Sequence, residues 1–337
     1  MKSTRNKVLS LALLGGLVLS ALSGCGGQKQ PPEPPKDEHL IKIGIIQSLE
    51  HASLDAANKG FVDGMKEAGY EEGKNVTFIQ QNAQNDQSNL QSIAQQFVAN
   101  KTDLILAITT QAAQAVASAT TEIPILGTAI TDYESAKLVE SNQRPGRNVS
   151  GTSDMNPIED QIALLQEIVP NVKTIGTIYS SSEANSAHQI EELKRVLDRK
   201  GIALKEVTVS SVNDIQQVAK KLVSEDIQAI YVPTDNTLAS AMSNLVGITN
   251  ESKIPVMTGA TAMTDDGGTF ALGVDYYQLG KQTAQMAVRY LDGKVKIENM
   301  PVETSHDFEV VINHEAANKI GLKIPQSVLE KEKKEKK

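Results

Sequence analysis

The sequence predicts an α/β protein of two doubly wound lobes, each built on a parallel sheet. Three observations carry that prediction. Short β-branched runs alternate with amphipathic helical stretches through the body of the chain. The runs are almost continuously apolar, as strands covered by helices on both faces have to be. The order of elements also repeats. IIQSLEHASLDAANKGFVDGMKEAGYEEGKNVTFI reads strand, Ser-x-Glu, helix, Gly, strand, and TIYSSSEANSAHQIEELKRVLDRKGIALKEVTV reads the same way. An antiparallel alternative needs two-residue hairpin signals between the runs, and none stands there.

Taken in order, strand runs fall at 41–47, 75–81, 103–109 and 123–129, with helical patterns at 54–68, 87–99 and 111–119 between them. The second half places strands at 173–179, 203–209, 228–233 and 254–259, and helices at 183–199, 214–224 and 237–250. TFALGVDYY (269–277) is a strand running into a turn. An amphipathic helix at 278–292, a strand at 307–313 and a short helix at 314–320 follow. The chain ends in EKEKKEKK, a charge run that reads as a solvated end.

The first residues are of another kind. Lys2, Arg5 and Lys7 precede an apolar stretch from Val8 to Leu22, too short and too interrupted by Ser10, Gly15 and Ser20 for a spanning helix. This is the pattern of a secretory signal peptide, 1–24. It closes on Leu22-Ser23-Gly24-Cys25, which resembles the bacterial lipobox, and Cys25 is the single cysteine of the chain. The resemblance implies acylation of Cys25, palmitate among the acyl groups. Residues 25–39 carry four prolines and no large apolar side chain, the composition of a semi-rigid solvated tether. An ordinary signal peptide with a chance cysteine is the bland alternative.

Composition bounds the function. The 337 residues suggest roughly two domains. Hydrophobic residues at 40% and charged residues at 22% exclude a mainly disordered chain. The formal charge is −8, and loss of Lys2, Arg5 and Lys7 with the signal takes it to −11, so no nucleic-acid partner is expected. One cysteine excludes a disulfide framework and a Cys-rich zinc site. His39, His51, His188, His306 and His314 show no metal-ligand spacing.

Parallel α/β sheets bind ligands beyond the carboxyl ends of their strands, where helix N-termini expose free N–H groups. The polar residues there are the site candidates: Ser48, Glu50, Thr110, Gln111, Thr131, Asp132, Asp154, Asn185, Ser186, Asp235 and Asp275. Each has a bland reading as a helix cap, and Thr110, Ser182 and Thr234 are strong N-cap candidates. Together, hydroxyls and amides suit a carboxylate, and Glu50, Asp235 and Asp275 suit an ammonium group. Catalytic signatures are missing: there is no G-x-S-x-G, H-E-x-x-H, complete P-loop or G-x-G-x-x-G after the first strand. No cofactor is expected.

Several dispersed segments resemble one family. They are the stretch from Gln47 to Gly64 with Glu50, His51, Leu54, Asp55, Gly60 and Asp63, then Gln111 to Ala115, Gly151 to Asp154, Ser182 to Ser186, Pro233 to Asn236, and Asp275-Tyr276-Tyr277 with Gly280. In this order they are similar to bacterial ABC-transporter solute-binding lipoproteins of the tryptophan/tyrosine/phenylalanine type. The resemblance covers about 41–322. It implies the periplasmic-binding-protein-like type I fold: two lobes, three crossovers and a ligand cleft between them. The expected division is 40–154 with 278–292 for the first lobe, 155–274 with 301–325 for the second, and 326–337 as a charged tail.

The expectation is therefore a non-enzymatic, monomeric solute receptor, lipid-anchored on the extracytoplasmic face of the cell membrane. It captures a small ligand, an aromatic or other apolar amino acid, and delivers it to ABC permease subunits. Thr110 is the candidate for the ligand carboxylate, and Asp235 or Asp275 for the amine. Candidates for an aromatic wall are Tyr133, Tyr179, Tyr231, Phe270, Tyr276 and Tyr277. Two other readings stand beside it: a receptor of the same fold that signals to a membrane sensor, and an extracytoplasmic enzyme using Glu50 with His51.

Overall fold

The computed structural model describes residues 40–306 and 308–332. The predicted signal segment 1–24, the linker 25–39 with Cys25, and the last five residues of the tail lie outside the described residues.

The first lobe begins with β1 (Ile41–Gln47), α1 (Ala52–Glu67), β2 (Val76–Asn82), α2 (Gln87–Ala99), β3 (Leu104–Ile108), α3 (Thr110–Ala119), β4 (Ile125–Ile130) and β5 (Val149–Ser153). The chain then crosses to the second lobe through α4 (Ile158–Ile168), β6 (Thr174–Ser180), α5 (Ala184–Lys200), β7 (Ala203–Val209), α6 (Ile215–Val223), β8 (Ala229–Val232), α7 (Asn236–Ala239), α8 (Met242–Glu251), β9 (Val256–Ala260), α9 (Thr261–Asp265) and β10 (Phe270–Val274). It returns with α10 (Tyr276–Leu291) and β11 (Glu303–Thr304), and crosses a third time to β12 (Phe308–Ile312), α11 (His314–Ile320) and α12 (Gln326–Leu329).

The first sheet runs β11-β5-β4-β3-β1-β2 and is parallel throughout. The second runs β12-β10-β9-β8-β6-β7, parallel except for the β10–β12 pair. The apolar strand pattern has its cause here. β3, β4 and β5 are buried at every position because helices cover both faces. One apolar cluster joins α1, α10, α6 and α8 side chains, among them Phe61, Met65, Leu222 and Leu245. A second packs α2 and α3 on the first sheet through Phe97 and Val116. A third packs α4 and α5 on the second sheet through Leu165 and Leu193.

Several details differ from the sequence reading. Residues 301–325 were expected wholly in the second lobe, but Glu303 and Thr304 pair with Thr152 and Ser153 in the first sheet. β5 and β11 carried no readable strand run, because VSGTS is polar and two residues have no period. The 237–250 helix is two helices, α7 and α8, and α10 starts at Tyr276 rather than 278. The charged tail begins later than 326, since Val328 is fully buried and Lys331 pairs with Glu167 at 2.7 Å.

Candidate functional site

In each lobe the strand order places a switch point between the first strand and its inner neighbour. The helices that follow those two strands pack on opposite faces, so their loops part and leave a crevice at the C-terminal edge. In the first lobe β1 and β3 are in register at Gln47 and Ile108, so Ser48–His51 stand beside Thr109 and Thr110. In the second lobe β6 and β8 pair through Thr177 and Tyr231, so Ser180–Glu183 stand beside Thr234 and Asp235.

The first-lobe crevice offers donors. Thr109 has φ 103°, a left-handed conformation that a β-branched residue rarely adopts. Three bonds hold it: its N–H donates to the Thr128 carbonyl at 3.1 Å, its hydroxyl donates to Ser48 Oγ at 3.0 Å, and it accepts the Ala112 N–H at 3.3 Å. Thr109 is thus the N-cap of α3, one residue before the expected Thr110. Thr110 is left free of capping, and its buried hydroxyl has no hydrogen-bond partner. Beside it, α1 has His51 at its N-cap position with no side-chain cap, and the buried Ser53 hydroxyl also has no partner. Two helix N-termini and two unsatisfied hydroxyls give this edge unpaired hydrogen-bond donors.

The second-lobe crevice holds two buried carboxylates. Asp235, the N-cap of α7, accepts the Leu238 N–H at 2.8 Å, and the Ser180 N–H and Ser186 hydroxyl at 2.7 Å each. These take three of about four acceptor positions on the carboxylate. Glu183 Oε1 accepts the Thr237 N–H and hydroxyl. Its Oε2 accepts the Asn236 N–H and amide and the Asn185 amide. Burial, and next the neighbouring Glu183 charge, push the Asp235 pKa up to about 8.

Side chains meet directly across the two lobes. His51 Nε2 lies 3.2 Å from Asn236 Oδ1, and the Gln111 amide donates to the Ser182 carbonyl at 3.3 Å. Burial lowers the His51 pKa, against the Asn236 hydrogen bond and the charges of Glu183, Asp55 and Asp266. The Gln189 amide donates to Thr131 Oγ1 at 3.2 Å. Asp154, on the first crossing, accepts the Thr131 hydroxyl at 3.0 Å and the Tyr276 phenol at 2.6 Å. Burial raises its pKa.

Of the predicted residues, Ser48, Thr110, Gln111, Thr131, Asp154, Asn185, Ser186 and Asp235 gather at the switch points and the contacts between them. Glu50 is exposed beside His51. Asp132 is half-buried and accepts the Ser135 N–H at 2.6 Å, closing its own turn. Asp275 caps α10 through the Tyr277 and Gln278 N–H groups. The expected caps Ser182 and Thr234 each stand one residue before the actual caps, Glu183 and Asp235. Most of the expected aromatic wall is elsewhere. Tyr133, Tyr231 and Phe270 are fully buried in the lobe cores. Tyr179 donates to Glu206, and Tyr277 lies between Lys59 and Lys281. Tyr276 alone of the six joins the crossing beside the cleft, through Asp154. Gln189 was missed because it sits in the second turn of α5, beyond the strand-end residues where candidates were sought. The role of Glu183 was missed because a carboxylate at a helix start is favoured in any helix.

A family model described as ABC transporter substrate binding protein matches residues 42–336. A tyrosine-binding protein of Clostridioides difficile is 38% identical over 321 residues, covering 94% of this chain and 92% of that protein. A solved ABC domain from Streptococcus pneumoniae in complex with L-Trp is 40% identical, with TM-score 0.83, covering 87% of this chain and 98% of that one. The ligand-free, open structure of a substrate binding protein with adhesive properties from Clostridium difficile is also 40% identical, covering 85% and 96%, with TM-score 0.69. At equal identity the fit is tighter to the L-Trp complex than to the ligand-free, open structure.

Proposed function

Because this chain belongs to the ABC transporter substrate-binding protein family, we propose that its cleft takes an amino acid as a zwitterion and hands it to a membrane permease. One observation carries the reading: the two switch points have opposite character. The first-lobe edge has helix N-termini and the partnerless Thr110 and Ser53 hydroxyls, which suit a carboxylate. The second-lobe edge has the buried Asp235 carboxyl, which keeps an acceptor position open and suits an ammonium group. A zwitterion bridging the edges satisfies both and favours closure over the open state. Ser48, Gln111, Asn185 and Ser186 line or position the same groups.

The tyrosine-binding relative and the L-Trp complex support an aromatic side chain on that amino acid. Cys25 would carry the lipid that holds the mature protein, through its Pro-rich tether, on the extracytoplasmic face of the membrane. Glu50 is exposed and His51 faces Asn236, an arrangement that favours a binding role over acid–base catalysis. The protein would act as a monomer. The test is mass spectrometry of solute released on denaturing the purified protein, followed by calorimetry with L-tyrosine and L-tryptophan. An amino acid returned unchanged supports the reading. No bound solute and no heat with any amino acid overturns it.

A further inference from the structure

Gln189 is fully buried on α5 in the second lobe, yet its amide reaches both lobes. Nε2 donates to Thr234 Oγ1 at 2.5 Å and to Thr131 Oγ1 at 3.2 Å, while Oε1 accepts the Thr234 N–H at 3.3 Å. Thr131 follows β4 in the first lobe, and its hydroxyl donates to Asp154 Oδ1 at 3.0 Å. Asp154 Oδ2 accepts the Tyr276 phenol at 2.6 Å. A buried chain of hydrogen bonds therefore runs Thr234, Gln189, Thr131, Asp154, Tyr276. It starts beside Asp235 at the second switch point and ends where two of the three crossings meet.

The partition of this chain between lobes is unequal in a useful way. Thr131, Asp154 and Tyr276 are attached to β4, β5 and α10, and Gln189 and Thr234 to α5 and β8. Rotating the lobes apart breaks the Gln189–Thr131 bond, while the Gln189–Thr234, Thr131–Asp154 and Asp154–Tyr276 bonds each stay within one lobe. We propose that Gln189 is the closure latch of this receptor: a positioning residue that sets ligand affinity by holding Thr131 across the cleft. It is not a ligand contact. This rests on the solute-receptor reading above. A fully satisfied buried polar chain rigidifies one arrangement, whereas a latch group shut in without its partner is costly. Affinity then depends on a bond that the ligand does not make.

The test is a double-mutant cycle on the purified full-length protein, with L-tyrosine and L-tryptophan as probes, read by calorimetry and by dissociation kinetics. Gln189→Leu and Thr131→Val each weaken binding roughly tenfold, chiefly through faster dissociation, and the double variant is again weakened only roughly tenfold. If Gln189→Leu fails to fold, the near-isosteric Gln189→Met takes its place in the cycle. Unchanged affinity in the Gln189 variant, or independent effects that multiply to about a hundredfold in the double variant, overturns the latch. Wild-type protein that gives no heat with any amino acid and releases no solute overturns the receptor reading, and the latch with it. The first failure shows in the variants and the second in the parent, so the two are distinguishable.

Discussion

A Cβ built on Gly60 would stand 2.0 Å from the carbonyl oxygen of Tyr277. The relation is reciprocal, because a Cβ on Gly280 would stand 2.0 Å from the carbonyl of Ala57, and one on Gly64 would stand 2.8 Å from Ala284 Cβ. Helices α1 and α10 thus cross with backbone against backbone, which residues of ordinary size do not allow. This contact docks the second crossing on the first lobe.

Gly60→Ala is expected to force the helices apart and destabilise the protein by about 3 kcal/mol. For a protein of this size that lowers Tm by roughly 4–5 °C. Thermal melting followed by circular dichroism checks it. A shift under about 2 °C would show that the crossing is not close in solution.

Thr110→Val separates binding from stability. The hydroxyl it removes is buried and without a partner, so the ligand-free protein keeps or gains stability. Binding loses a hydrogen bond to a charged group, about 1.5–3 kcal/mol, or roughly 10- to 100-fold in affinity. Calorimetry and melting on one preparation give both signs. Equal losses in both would remove Thr110 from the carboxylate site.

Asp235 predicts the pH dependence. Its folded pKa, about 8, lies above the ordinary 3.8. Between those values the native state holds a proton that the unfolded state has lost, so ligand-free stability falls as pH rises across that window. An ammonium ligand needs the ionised carboxylate, so affinity moves the other way. It rises toward pH 8 by up to about tenfold per pH unit, with proton release on binding. Calorimetry in buffers of different ionisation enthalpy counts that proton. Asp235→Asn should flatten the profile and weaken binding at least about tenfold. A flat profile in the parent protein contradicts the assignment.

If Cys25 carries the lipid as proposed, Cys25→Ala is expected to abolish incorporation of labelled palmitate and to move the protein from the membrane fraction to the soluble one, because acyl chains buried in lipid would be its only hold. Continued membrane association without label would place the anchor elsewhere.

The sequence made the scaffold legible where physics is local. The runs at 41–47 and 203–209 coincide with β1 and β7, and 87–99 with α2, because apolar period and caps such as Asp86 are written in neighbouring residues. VSGTS gave no such signal: β5 is a strand because β4 and β11 flank it, which is tertiary information. Helix α4 had a readable spacing in Ile158, Ile162, Leu165 and Ile168, but it starts after Pro157 with no side-chain cap to mark it. The site divides the same way. Strand-end residues such as Thr110 and Asp235 follow from topology alone. Gln189 needs the second lobe closed on Thr131, a contact 58 residues apart in sequence.

The three crossings also fix an order of manufacture. All strands of the first sheet except β11 are complete once Ser153 has left the ribosome, but α10 follows only from Tyr276 onward. Until then Phe61, Met65 and Ala57 of α1 have no α10 to cover them. At about 5–20 residues per second that interval is on the order of ten seconds. During it the apolar face of α1 that α10 later covers stays open. The lobe that is started first is finished after most of the other has been made.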